Sequence, residues 1–473
     1  MSTHCGYIVK VEKLRPHSNA DKLQIATFFG NDTCVGLDVV LGEIGVYFPS
    51  DLQLSTEFAE YNNLLRKKDD AGNSIGGYMD PVKRNVTAIR LRGEKSDGLF
   101  LPLTCVEYTG VDFSTLEAGM AFTVLNGHEI CQKYIPRHNP SHQNVAAGNR
   151  TRKKKVNIAP TFAEHADTEQ LAYNLSAFRP GDEIEITLKM HGTSQRTGHL
   201  PVLKGYKRTF WDWLFRREGT PQYEYDYISG TRRTVLEDYE GGFYGDNSFR
   251  EQHSKVFEGK LWAGETVYYE VVGFTDTGAP IMSPASNKKT QDKEFIKQYG
   301  ETTVFSYDCT PNGFKESDSF QMPSGTLNIG NTSSTVDNMK IYKNAPQSDI
   351  YVYRMTMTTP DGNVVEYTPD FMRYRCEMMG VKTVPLMWKG VIEGKRVECG
   401  EITPGEYIKD IAEGFYDGPD PIGKTHVREG VVVRILNRPK FTAYKHKNFS
   451  FKVLEGIAKV EAEAPDMEEA QDE

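Results

Sequence analysis

The chain has 473 residues, 38% of them hydrophobic and 26% charged, and a formal net charge of −9. That composition fits a globular protein of two or three domains. No apolar run approaches the roughly 20 residues a membrane helix needs, and the first residues lack the apolar core of a secretory leader. The cysteines Cys5, Cys34, Cys105, Cys131, Cys309, Cys376 and Cys399 stand singly, with no CxxC pair. This excludes a disulfide framework and a structural zinc site and points to a reducing cytoplasm.

Residues 1–128 carry short alternating segments: YIVKVEKL, CVGLDVVLG, IGVYFPS and AIRLRG. Gly, Asp, Asn and Pro punctuate them, the pattern of a small closed β-barrel. Residues 129–160 turn polar and proline-containing, with a basic run at Arg150, Arg152, Lys153, Lys154 and Lys155. This is a linker, and its basic run is either a solvated connector or a phosphate-contacting strip. Across 161–455, the strand-like segments EIEITLKM, TVYYEVVGF, TTVFSYDC, DIYVYRMTMT and EGVVVRI alternate with helical stretches. The fold class is therefore α+β. Thr368 followed by Pro369 predicts a capped helix through PDFMRYRCEMMG, stopping near Gly380. Residues 317–338, rich in Ser, Thr, Asn and Gly, read as a surface insertion. Residues 456–473 form an acidic tail with almost no large apolar residues, expected to be disordered.

Lys189-Met190-His191-Gly192-Thr193-Ser194 follows the alternating strand EIEITL. A lysine leaving a strand into a glycine turn is held rigidly and faces open space. An amine attacks phosphorus only when neutral, a state favoured by burial and nearby positive charge, including bound Mg2+. Gly192 is expected to let the backbone approach a ligand closely. Taken alone, KxHG also describes an ordinary exposed strand-end lysine. Four further segments follow in order. Tyr268-Tyr269-Glu270-Val271-Val272-Gly273 places a carboxylate at a strand end. Val304-Phe305-Ser306-Tyr307-Asp308 offers aromatics on one strand face. Arg428-Glu429-Gly430-Val431 places a second carboxylate where a strand begins. Tyr444-Lys445-His446-Lys447 sets two lysines on one strand face. Together they supply a nucleophile, two carboxylates, a purine platform and two phosphate-binding cations.

In KMHG, YYEVVG, VFSYD, EGVVVR and KHK, taken in that order, the sequence resembles the covalent lysine nucleotidyltransferases, the superfamily of ATP-dependent ligases and capping enzymes. The resemblance implies that Lys189 becomes adenylylated and that Glu270 binds the ribose. An aromatic of Phe305–Tyr307 would stack on adenine, Glu429 would help organise a metal, and Lys445 and Lys447 would contact phosphates. His191 stands where many DNA ligases have Asp, which suits the RNA ligases. Ser229-Gly230-Thr231-Arg232-Arg233 resembles the family's arginine-bearing motif, with Arg232 and Arg233 suited to bidentate phosphate contact; a plain surface turn is the alternative. Arg196 is a further nucleotide-site candidate, and His165-Ala166-Asp167-Thr168-Glu169-Gln170 resembles a segment of RNA ligases.

After Lys447 the sequence leaves no room for the C-terminal OB domain of DNA ligases and capping enzymes. The barrel lies at the N-terminus instead. HSNADKL (17–23) and RLRGEKSDGL (90–99) resemble tRNA-binding-type OB domains, with Arg90, Arg92 and Lys95 as nucleic-acid contacts. The implied protein is an ATP-dependent RNA ligase with an N-terminal OB domain (1–128) and a nucleotidyltransferase domain (161–455). It would use ATP and Mg2+ (or Mn2+) to seal 5′-phosphate and 3′-hydroxyl RNA ends, such as those of a nicked duplex, in RNA repair. No membrane and no obligate protein partner is expected. The alternatives are a capping-type guanylyltransferase, a DNA ligase, or a non-catalytic RNA-binding protein.

Overall fold

The computed structural model describes residues 4–50, 52–68, 74–134, 158–166, 168–215, 219–236, 239, 248–309, 347–456 and 458–460, with strand segments 320–321, 325–329, 332–336 and 340–341. The basic run at 150–155, Asp167 and residues 461–473 of the acidic tail lie outside them. The chain divides into two compact units. One comprises Met1–Val145, Lys289–Gln291 and Phe449–Glu473, the other Ala146–Lys288 and Asp292–Asn448. Among the described residues no helix is long and apolar enough to cross a membrane.

The first unit is built from small sheets. Leu99–Pro102, Ile44–Phe48, Gly6–Lys10 and Ala121–Phe122 are neighbours in that order, and Leu14–Pro16, Leu23–Phe28 and Asn31–Gly36 form a second sheet. The core holds Ile8, Val46, Phe48, Phe58, Val106 and Ile130. In Gly6–Lys10 and Ile44–Phe48 the alternation of the sequence supplies the inward face. A hairpin joins Ala88–Leu91 to Glu94–Ser96, and Ala458–Val460 pairs parallel to its first strand. Arg92 and Gly93 turn it with φ of 41° and 95°, the left-handed pair a two-residue hairpin demands.

Among the described residues, two large sheets organise the second unit. One orders Glu169–Gln170, Thr442–Lys447, Gly430–Ile435, Glu183–Leu188 and Leu386–Val391. Its buried residues Ile184, Ile186, Val431 and Val433 pack with Ile408 and Ala412. The larger sheet orders Val235–Leu236, Thr220–Gly230, Thr193–Lys207, Glu265–Gly273, Ser348–Thr358 and Val364–Glu366. Phe249 and Phe257 cover it beside Met372 and Cys376. Those last two lie on the helix Pro369–Met379, as the sequence predicts. Thr368 accepts from the Phe371 N–H, Pro369 occupies the first turn, and Gly380 ends the helix in the left-handed conformation.

The segment Val304–Asp308 departs from expectation. Only Thr302–Thr303 is strand. Ser306 N–H donates to the Val304 carbonyl, and Tyr307 and Asp308 both take positive φ, 49° and 65°. Phe305 and Tyr307 therefore do not share a strand face; they sit in a tight turn.

Candidate active site

Lys189 leaves the strand Glu183–Leu188, and two residues after His191 the chain enters Thr193–Lys207 of the other sheet. The nucleophile candidate thus stands where the backbone passes between the sheets of the second unit. Its N–H donates to the Gly430 carbonyl, 3.0 Å, which ties it to the strand that Glu429 precedes. Lys189 Nζ lies 2.5 Å from Glu429 Oε1, and Lys447 Nζ lies 3.1 Å from the same oxygen. Lys447 reaches it because Gly430 and Lys447 are paired in register. Lys445, two residues earlier and half-buried, shares the strand face of Lys447.

Glu429 is 2% exposed. Burial works against its charge, but Lys189 and Lys447 outweigh it and hold the carboxylate well below its usual range. His191 Nδ1 stands 3.5 Å from Oε2, an oxygen that is buried and accepts no hydrogen bond. A buried, anionic carboxylate oxygen without a donor suits a divalent cation, which binds hard oxygen ligands. The residues present therefore fit such an ion.

Glu270 lies inside Glu265–Gly273 rather than at its end, opposite Ser194 in register. Ser194 Oγ donates to Glu270 Oε2, 3.2 Å. Burial pushes the Glu270 carboxyl up to about 7, opposed by Lys189 and reinforced by Glu429. The two carboxylates therefore differ, one firmly ionised and the other poised near neutrality.

The aromatics are placed differently from the sequence reading. Tyr307 OH accepts from the His191 N–H, 2.8 Å, which fixes the loop after Lys189. Phe305 meets His191 edge-on at 4.5 Å between centroids. Both rings flank His426, at 5.3 and 4.6 Å. Phe305 and Tyr307 are 4% and 1% exposed, buried against these two histidines. Gly192 also has a different reason. A Cβ there would collide with the Val271 carbonyl oxygen and come within 2.9 Å of Glu270 Cγ. The glycine permits close approach of its own neighbouring strand.

Arg196 is buried, its guanidinium 4.4 Å over the Phe162 ring and donating to the Arg232 carbonyl at 3.0 Å. Arg232 and Arg233 lie exposed on the turn after Gly230. In the first unit, Arg90 and Lys95 lie over the Phe449 ring at 5.7 and 5.1 Å, and Arg92 is exposed at the hairpin turn. Sequence reasoning missed Arg250. This guanidinium, 4% exposed, donates to Thr193 Oγ1 at 2.6 Å and to the Ser194 carbonyl at 3.2 Å. It braces the backbone just after the Lys189 loop. It comes from the short polar helix Ser248–Lys255, where no sequence motif distinguishes it from a surface arginine.

Solved structures share this fold. An RNA ligase of Naegleria gruberi with pyrophosphate is 15% identical, with a TM-score of 0.52, covering 94% of this chain and 97% of its own. A lysine-to-alanine variant of a Naegleria gruberi RNA ligase with ATP and manganese matches at 15% identity and a TM-score of 0.51, covering 96% and 98%. A glutamate-to-alanine variant with AMP and manganese matches at 13% identity and 0.51, covering 95% and 98%. No family model and no curated protein matches the sequence. The chain has the mixed α+β fold of these ligases over nearly the full length of both.

Proposed function

We propose that this chain is an ATP-dependent RNA ligase that joins a 5′-phosphate to a 3′-hydroxyl through a lysine adenylate. The observation that carries this reading is the Lys189–Glu429–Lys447 cluster, with Nζ–Oε1 distances of 2.5 and 3.1 Å. Glu270, coulombically coupled to both Lys189 and Glu429, completes it. The shared fold supports the reading, because the structures that share it are of an RNA ligase, two of the three described with ATP or AMP and manganese.

In the first step, Lys189 Nζ forms a bond to the α-phosphorus of ATP and pyrophosphate leaves. AMP then passes to the RNA 5′-phosphate. Attack by the 3′-hydroxyl makes the phosphodiester and releases AMP. Lys447 and Lys445 supply positive charge for phosphate oxygens, and the rigid strand origin of Lys189 holds it in line. Glu270 offers a carboxyl for a ribose hydroxyl. A divalent ion at Glu429 would neutralise phosphate charge and take up the carboxylate that otherwise pairs with the lysine. The N-terminal unit, read as an OB-type domain, would hold the polynucleotide.

Incubation with α-labelled ATP or GTP, followed by denaturing electrophoresis, tests the proposal. The full chain is expected to take label from ATP, dependent on Mg2+ or Mn2+. Lys189→Ala should lose all label while retaining part of its ability to seal a pre-adenylylated RNA end, since that step needs no lysine nucleophile. Label in the Lys189→Ala protein would refute the assignment, and label from GTP alone would turn the reading to a capping-type enzyme.

A further inference from the structure

Glu270 lies half-buried in Glu265–Gly273, flanked in register by Ser194 on one side and Tyr351 on the other. Directly paired residues share a face of the sheet, and that face recurs at every second residue. Beside Tyr351 the pairing slips. Val352 stands opposite Tyr269 and Arg354 opposite Tyr268, so Tyr353 is an extra residue with no partner across the ladder. Such a bulge re-aims a side chain, and bulges gather near active sites. Val352 and Tyr269 pack into the core on the opposite face. Tyr353 turns toward the face of Ser194 and Glu270, and both are its electrostatic neighbours. Its ring, partly exposed, rests against the His165 ring at 5.4 Å between centroids. Its hydroxyl is buried and completes no hydrogen bond among the described residues.

A buried hydroxyl left unpaired is costly, and native proteins rarely keep one that nothing completes. This hydroxyl is a donor. Burial holds the phenol well above its usual range and Glu270 adds to the shift, so the proton stays in place at neutral pH. Glu270 is the matching acceptor. Ser194 Oγ donates to its Oε2 at 3.2 Å, and a carboxylate accepts through two oxygens. A ligand hydroxyl both donates and accepts, so it fits between the two groups, giving its proton to Glu270 and taking one from Tyr353. A phosphate oxygen only accepts and would be repelled by the Glu270 carboxylate. The pair therefore suits a sugar. We propose that Tyr353 is a specificity-determining residue for the sugar of the bound nucleotide: its hydroxyl donates to the ribose hydroxyl whose proton Glu270 accepts. The choice of ATP as the carrier of that sugar rests on the ligase reading above.

The test measures affinities for ATP, 2′-deoxy-ATP and 3′-deoxy-ATP with Mg2+, by isothermal titration of the full-length protein. It uses the Lys189→Ala background, in which no nucleotide is consumed. That protein should bind ATP more tightly than the analogue lacking the hydroxyl that is read. Adding Tyr353→Phe keeps the ring against His165 and removes only the donor. ATP binding should weaken about three- to tenfold, the worth of one hydrogen bond. Binding of that analogue should not change, so the preference shrinks by the same factor. Without nucleotide, the Tyr353→Phe protein should melt no lower than its parent, because the lost hydroxyl had no protein partner. An undiminished preference for ATP over both analogues would overturn the proposal. So would equal weakening of all the nucleotides together with a lower melting temperature, the pattern of a structural hydroxyl, or protein that binds none of them. Failure of the ligase reading would show separately, as protein with Lys189 intact that binds ATP with this preference and takes no label from it.

Discussion

Glu270 and Glu429 are chemically alike and are set apart by their neighbours. Glu429 touches two ammonium groups and stays ionised; Glu270 has one hydroxyl donor, and burial raises its carboxyl to about 7. The Glu270 shift has a definite sign in stability. Its folded-state value lies above the ordinary 4.5, so between those values the folded form holds a proton that the unfolded form has lost. Stability is then fully present below about pH 4.5 and declines until about pH 7. Glu270→Gln removes that decline. Relative to wild type, the variant should gain on the order of 3 kcal/mol above pH 7 and little at pH 4, read from urea unfolding at both pH values. It should also use ATP poorly. Equal pH dependence in the two proteins would show that Glu270 is ordinarily ionised.

The elements explain why these side chains meet. Lys189 is placed by Glu183–Leu188, and Glu429 and Lys447 by the adjoining strands Gly430–Ile435 and Thr442–Lys447. Glu270 comes from the other sheet, against Thr193–Lys207. The link between the sheets packs tightly against Glu265–Gly273 at Gly192, where a methyl group would meet the Val271 carbonyl. Gly192→Ala should therefore push the Lys189 loop away from Glu270. The expected cost is about 1–3 kcal/mol of stability, with a drop in label transfer larger than that stability loss explains at a temperature where the variant is fully folded. Folded Gly192→Ala protein with wild-type labelling would show that the close approach is incidental to the site. The turn at Val304–Asp308 illustrates the limit of period-two reasoning. Its alternating aromatics read as a strand, yet two successive positive φ values bend it so that Tyr307 can cap the His191 N–H.

For the whole molecule, ligand binding and folding are linked. A ligand that binds only the folded chain stabilises it by about 2.7 kcal/mol at a hundredfold excess over Kd. ATP with Mg2+ should therefore raise the melting temperature of Lys189→Ala protein, which cannot turn the nucleotide over. The rise should shrink or vanish when Glu429→Ala is added, because the anionic oxygen suited to the metal is lost. An undiminished rise would place the nucleotide elsewhere. Each unit also recruits distant sequence. Phe449–Leu454 joins the first unit, where Phe449 lies under Arg90 and Lys95 and Lys452 pairs with Asp97 at 2.6 Å. Those two cations, which the sequence offered as nucleic-acid contacts, are engaged with an aromatic ring of their own unit.

The features legible in the sequence are those set by near neighbours along the chain. The alternation of EIEITL and GVVVRI marks buried strands, and Thr368-Pro369 marks a helix start. Residue type and local sterics suffice for these. Even the order of the acidic and basic segments could be read, because each carries its own pattern. What the tertiary structure alone decided is partnership. Nothing local in Glu429 says that it bridges Lys189 and Lys447, nothing in the helix Ser248–Lys255 marks Arg250 as the brace behind Thr193, and nothing in Phe305 or Tyr307 announces a turn rather than a strand. Those outcomes depend on which strands pair and on what packs against the chain between them, and long-range packing settles both.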